Sequence, residues 1–401
     1  MEEKFLKRYY LIFFSAILGP LTTNSLVPIF EELRVNFGLD SIALVSLAIS
    51  FYILPFAIFQ LFAGTFSDII NKKTVIVLGC IIFIIGLFLT LIAVIIKSFY
   101  LFLIAFLIQG IGFSFINPTL LATISILSPE RKKGMIMGIY NSSAGIGVSM
   151  GAFLSGVFAN YFLMWELLFF LNPIIAILAL IFVLIALRDC EALVCRTNEI
   201  NSNNLIDKKS KVTAIYRQLR NNLKLPITLL GLVGFICFFI VITLVTTLNE
   251  QMRNSLNLSD QEIIYYVSFI LTINGLISVV LSPFIGLLLR RVNPYITLGV
   301  GFMLTLIMIL MPFASSIVDF MIISFITYVG SAFIWTSLFK ISMEINPEAE
   351  GTNSAIVNSL RFMGYSLVGP FYLFFGIPII YFWVIGFNFL AIFIIFVLIK
   401  R

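Results

Sequence analysis

The sequence contains no histidine, and only 11% of its 401 residues are charged. Soluble domains carry about 25% charge, so water is not the main solvent for this chain. Without imidazole the chain lacks the commonest metal ligand and the usual proton relay. Cysteine is scarce as well, with four in total. Cys80 and Cys237 sit in apolar runs, and Cys190 and Cys195 in a polar loop expected to face the cytoplasm, where thiols stay reduced. Neither a disulfide framework nor a metal centre is expected, and no cofactor. No Gly-Lys pair occurs, which excludes a Walker-type nucleotide site. Paired acids and nucleophile–base pairs are missing too, so the chain is not expected to be an enzyme. No cleavable signal peptide is visible: Met1 to Arg8 is basic, but the apolar run behind it is a full span with no small-residue cleavage site.

What is abundant is apolar. Hydrophobic residues make up 61% of the chain, with 43 Phe among them. About 20 apolar residues cross a hydrocarbon core of roughly 30 Å. Such runs recur from end to end, at 9–31, 42–66, 74–96, 99–126, 134–160, 165–187, 225–249, 262–288, 295–314, 317–343, 352–376 and 378–399. The expectation is an all-α polytopic membrane protein with twelve transmembrane helices in two pseudo-symmetric six-helix bundles.

Residues 188–224 form the one long polar break and set the domain expectation: a bundle over 1–187, a cytoplasmic linker over 188–224 and a second bundle over 225–401. Within the linker, Val212, Ile215, Tyr216, Leu219 and Leu223 fall at helical spacing among basic residues. They fit either a basic helix on the inner leaflet or a cytoplasmic extension of the seventh span. Basic residues fix the orientation. Lys4, Lys7, Arg8, Lys72, Lys73, Arg131, Lys132, Lys133, Arg290, Arg291, Lys400 and Arg401 gather on one side, against Arg34, Lys97 and Arg253 on the other. Both termini are therefore expected in the cytoplasm, and the protein in the plasma membrane. This bias accounts for the net charge of +6 without nucleic acid.

The halves read as repeats. Asn141-Ser142 with Gly147 returns as Asn358-Ser359 with Gly364 at one constant offset, and Gly134 returns as Gly351 at the same offset. Gly64 and Asn71 correspond likewise to Gly286 and Asn293.

Between the second and third spans stands Gly64-Thr65-Phe66-Ser67-Asp68-Ile69-Ile70-Asn71-Lys72-Lys73. It resembles the loop of the major facilitator superfamily, Gly-x-x-x-Asp-Arg-x-Gly-Arg-Arg/Lys. Gly64, Asp68, Lys72 and Lys73 fit it, while Ile69 and Asn71 take the Arg and Gly places. Gln109-Gly110-Ile111-Gly112 is similar to the fourth-span pattern Arg-x-x-Gln-Gly-x-Gly, with Phe106 in the Arg place. Gly147, Gly151, Ala152, Ser155 and Gly156 resemble the fifth-span antiporter motif Gly-x-x-x-Gly-Pro-x-x-Gly-Gly. The resemblance covers nearly the whole chain and implies a secondary transporter. It implies that Asp68 latches a cytoplasmic gate, with Arg131 and a facing helix N-terminus as partners, and that the Gly147 and Gly151 face packs the halves together.

Charge inside a membrane is costly, so a mid-span charge is a functional candidate. Arg361 lies about 14 Å into the eleventh span at 1.5 Å per residue. Ser354, Asn358, Arg361 and Tyr365 form one helical stripe with it, and no mid-span carboxylate is available as its partner. Further polar candidates for the substrate cavity are Asn24, Gln109, Asn117 and Thr247, with Tyr328 and Trp335 on one face of the tenth span. The expected partners are a small-molecule substrate and the lipid bilayer, acting on a monomer, with a coupling ion left open. Efflux of amphipathic or drug-like compounds is the favoured activity and uptake of an organic anion the alternative.

Overall fold

In the computed structural model, residues 2–69, 71–127, 133–188, 225–345 and 350–400 are described, with the side chains of 2–10, 64–69, 125–127, 133–139, 141, 343 and 350–355 left aside. The described residues are helical, with no strand among them. The helices are α1 (Glu2–Asn24), α2 (Phe30–Phe37), α3 (Ile42–Ile69), α4 (Lys72–Ile95), α5 (Phe99–Leu127), α6 (Lys133–Asn160) and α7 (Leu167–Ala186). After the linker come α8 (Leu225–Ser255), α9 (Asp260–Leu288), α10 (Pro294–Thr305), α11 (Ile317–Glu344) and α12 (Glu350–Ile399).

Eleven stretches are long and apolar enough to cross a membrane, and the last of them serves twice. At 50 residues α12 would measure about 75 Å as a straight rod, more than two bilayer cores. It is not straight. Gly376 has φ 68° and ψ 178°, which a residue with a Cβ rarely adopts. Phe371 and Trp383 lie on either side of that break, with ring centroids 5.6 Å apart, where a straight helix would hold them about 18 Å apart. The chain therefore doubles back at Gly376, and the twelve expected spans are present. The sequence reading ended the eleventh span at 376 and opened the twelfth at 378, in agreement with this break.

The first span also differs from its expected end at residue 31. Pro28 cannot donate a backbone hydrogen bond, and Val27–Ile29 is a 3₁₀ turn joining α1 to α2. The span then continues to Phe37, where Gly38 at φ 63° accepts the left-handed terminus. The ninth span tightens into a 3₁₀ segment, Leu306–Phe313, beyond α10.

Lipid offers helices no hydrophobic reason to associate, so close backbone approach must supply the contact. The glycines map it. An added Cβ on Gly112 would lie 2.8 Å from Gly79 O, joining α5 to α4, and one on Gly330 would lie 2.7 Å from Gly301 O, joining α11 to α10. An added Cβ on Gly147 would lie 2.6 Å from Ile17 O of α1, and one on its repeat partner Gly364 would clash with Phe235 O of α8. Asn71 accepts from Lys73 N at 2.9 Å to cap α4, and Asn293 accepts from Tyr295 N at 2.9 Å to cap α10. The two halves thus carry the same joints in the same order. Across the middle, α6 packs on α9 and α3 on the first arm of α12.

Gly364→Ala should cost about 1–3 kcal/mol, because the methyl group meets a backbone carbonyl rather than a flexible side chain. Gly386, with nothing within 4 Å of an added Cβ, is the control. Thermal unfolding in detergent should show a clear loss for Gly364→Ala and little change for Gly386→Ala.

Candidate functional site

The Arg361 guanidinium is held by aromatic faces from three helices. Its Cζ lies 3.5 Å from the ring centroid of Trp335 on α11, 4.3 Å from that of Phe238 on α8 and 4.4 Å from that of Phe362 on α12. No carboxylate forms a salt bridge with it among the described residues, and its Nε is buried without a hydrogen bond. An Arg at mid-membrane costs about 2.5–3.5 kcal/mol, whereas a cation over a ring gains about 0.5–2 kcal/mol. Three rings therefore offset most of the cost while leaving the charge unneutralised.

The cage reaches the other half of the molecule through Phe362, whose ring meets Phe56 of α3 edge-on at 4.7 Å. One turn before Arg361, Asn358 donates to Gln60 Oε1 of α3 at 3.4 Å, and Ser359 donates to Ala57 O at 2.8 Å. Asn358, Arg361, Phe362, Trp335 and Phe238 are all partly accessible although they lie within long apolar helices. A partly open, aromatic, singly cationic surface sits where the two halves meet.

Of the eight residues expected to line the cavity, Arg361, Trp335 and Asn358 come together here. Tyr365, from the same stripe, joins them through Phe238, with ring centroids 6.2 Å apart, and Tyr328 is buried two turns from Trp335 on α11. The others are engaged elsewhere. Asn24 is buried and donates to Pro20 O at 2.8 Å, closing its own helix end. Gln109 is fully buried between α4 and α5 and donates to Thr90 Oγ1 at 2.6 Å. Asn117 takes the Tyr140 hydroxyl of α6. Thr247 is buried 2.8 Å from the Tyr381 hydroxyl on the second arm of α12. Each of these polar groups ties one helix to its own turn or to a neighbour, the commoner use of such residues in a bilayer.

The gate residues are placed less fully. Gly64 and Asp68 fall in the last turns of α3, but their side chains, like Arg131, Ser354 and the linker residues 189–224 with Cys190 and Cys195, lie outside the described set. Lys72 opens α4 and is buried, and the Lys73 backbone takes the Asn71 cap. Asn in the motif's Gly place thus has a local reason.

The Gly147 and Gly151 face departs from what the resemblance implied. Both glycines press on α1 within the first half, where an added Cβ on Gly147 would meet Ile17 O and one on Gly151 would clash with Leu21 O. The half-to-half seam runs along the adjacent stripe of the same helix. Gly145 approaches Gly275 O at 3.0 Å, Gly156 approaches Ser268 Oγ at 2.8 Å, and Ser149 donates to Thr272 O at 2.9 Å. Successive residues point about 100° apart on a helix, so two stripes of small residues can serve two neighbours.

Sequence reasoning missed Phe238, Phe362 and Gln60, because nothing separates a cavity Phe from the many others in the chain. It also missed Asn249, which donates to Pro28 O at 2.9 Å and joins the fringe of α8 to the 3₁₀ turn of the first span. Its Oδ1 accepts in turn from Arg253 Nε at 3.0 Å, and Arg253 pairs with Asp260.

The sequence profile of the Major Facilitator Superfamily matches residues 12–369. The chain is similar to Quinolone resistance protein NorA of Staphylococcus aureus, 21% identical over 375 residues, which is 91% of this chain and 88% of that protein. It is similar to Multidrug resistance protein 3 of Bacillus subtilis, 25% identical over 61% of this chain and 48% of that one. A match to the vacuolar membrane amino acid uptake transporter fnx2 of Schizosaccharomyces pombe is 28% identical over 40% of this chain and 27% of that one. An uncharacterized MFS-type transporter of Methanocaldococcus jannaschii is matched over 39% of each chain at 26% identity. NorA apart, the chain spans less than half the length of these relatives. A profile that runs from the first span into the eleventh, on a chain of twelve membrane helices with repeated halves, settles the family: the chain belongs to the Major Facilitator Superfamily, whose members are membrane transporters.

Proposed function

We propose that this protein exports small amphipathic, drug-like compounds by alternating access, as a monomer in the plasma membrane with both termini in the cytoplasm. The rigid bodies in this reading are residues 1–187 and 225–401, linked through 188–224. The observation that carries it is the Arg361 cage. Flat aromatic faces of Trp335, Phe238 and Phe362 suit planar, greasy molecules, and a single unneutralised cation suits a polar or acidic substituent on them. NorA and Multidrug resistance protein 3 are named for drug resistance, which favours export.

A second reading, uptake of an organic anion, draws on the same guanidinium. With no carboxylate salt-bridged to it among the described residues, it is free to pair with an anionic substrate. The two readings separate in liposomes: export of a neutral aromatic compound supports the first, whereas inward movement restricted to acids supports the second. Each orientation is run with and without a proton gradient, which also identifies a coupling ion.

Charge-assisted hydrogen bonds contribute about 1.5–3 kcal/mol, so Arg361→Met should reduce transport of an acidic substrate roughly ten- to a hundredfold. Trp335→Ala should weaken binding of neutral aromatic compounds, read as a higher KM. Unchanged transport in both variants would remove the cage from the pathway.

The gate reading concerns Asp68 with Gly64, Lys72, Lys73 and Arg131, at the face where α3 ends and α4 begins. Asp68→Asn should stop turnover while substrate still binds; turnover at the parent rate would show that Asp68 is not the latch.

A further inference from the structure

Inside the first half, α1, α4, α5 and α7 enclose a cavity of about 10 Å³ lined by Thr22, Thr90, Phe106, Gln109 and Asn172, with two leucines and Phe169 completing the wall. That is about the room of one water molecule. Gln109 and Asn172 are almost wholly buried, and each leaves a side-chain oxygen, Gln109 Oε1 and Asn172 Oδ1, without a hydrogen bond. No donor of the lining meets either oxygen. The Gln109 amide nitrogen is used on Thr90 Oγ1 at 2.6 Å, and Thr90 donates its own proton to Gly86 O at 2.9 Å. Thr22 donates to Leu18 O at 3.1 Å and Gly19 O at 3.0 Å, so its oxygen retains only acceptor capacity. Phe106 has no donor to offer.

The second half shows the same place closed directly. Asn388 stands in the twelfth span as Asn172 does in the sixth, and Thr305 ends α10 as Thr90 lies late in α4. There the Thr305 hydroxyl lies 2.9 Å from Phe302 O of its own helix but also 2.7 Å from Asn388 Oδ1, which leaves no orphaned oxygen on that Asn. In the first half Asn172 Oδ1 has no such partner, and a gap remains.

We infer that this cavity is a binding site for a single ordered water, which donates one hydrogen bond to Gln109 Oε1 and one to Asn172 Oδ1. A water supplies a donor to each of the two oxygens that the lining leaves unmet, and buried waters occupy sites with two to four polar partners. A bare cation fits less well, because no carboxylate lines the cavity and an uncompensated buried charge is heavily penalised. On this assignment Gln109 is a positioning residue that joins α5 to α4 directly and to α7 through water, rather than a substrate ligand.

The test is radiolytic hydroxyl labelling of the full chain in nanodiscs, which oxidises side chains beside ordered water. Phe106 should label strongly although it is buried. Asn172→Leu, which fills the gap and removes one acceptor, should bring Phe106 labelling down to that of Phe83, a fully buried ring that does not line this cavity. Thr22→Val tests the site independently if the Leu variant does not fold, and should lower labelling in part. Background labelling of Phe106 in the parent protein, or labelling indifferent to both substitutions, would overturn the assignment. So would an unfolding temperature that rises with Na⁺ or K⁺ but not with choline at equal ionic strength in the parent protein and loses that rise in Asn172→Leu, since a cation effect that depends on Asn172 places the cation in the cavity.

Discussion

Lipid supplies no drive for one helix to prefer another, and it satisfies no backbone polar group. The structure rests on how the chain answers that constraint. Its helices touch at backbone distance where glycines permit, as Gly79 on Gly112, Gly301 on Gly330 and Gly364 on Phe235 O. Its hydroxyls turn inward to carbonyls of their own helices, as Thr243 does to Phe239 O at 2.7 Å and Thr327 to Ile323 O at 2.8 Å. Only a minority of polar side chains are left to reach a neighbour, and these are the ones that mark a joint or a site.

Arg361 is the exception on which the proposed function rests. Its charge is stabilised by three ring faces rather than by an acid, so it is tolerated without being neutralised. A salt bridge would have made the same position structurally quieter and chemically less available. The cage is built from α8, α11 and α12, while its outermost ring, Phe362, leans on Phe56 of α3. Any rotation of one half against the other therefore changes what the guanidinium can meet.

The architecture was largely legible in the sequence because a bilayer writes strong rules: span length, basic loops, repeated glycines. Arg361, Asn358 and Trp335 were readable from helical spacing and the cost of charge. Gln109, Asn24 and Thr247 were misplaced because an interhelical tie and a cavity ligand use the same side chains, and periodicity cannot say which neighbour a stripe meets. Gly147 and Gly151 show the same limit. The motif located a close-packed face, but that face meets α1, and the seam between the halves uses Gly145, Ser149 and Gly156 instead. Phe238 and Phe362 were invisible for another reason: in a chain this rich in Phe, a functional ring has no distinguishing neighbour in sequence.

The bond from Asn249 to the Pro28 carbonyl joins residues 221 positions apart. That carbonyl lies in the 3₁₀ turn at Val27–Ile29, and its side-chain donor belongs to the seventh span. During synthesis the first span enters the membrane long before that donor exists. Its outer end is thus provisional through the making of the whole first half, and takes its final hydrogen bond only when the second half arrives to dock.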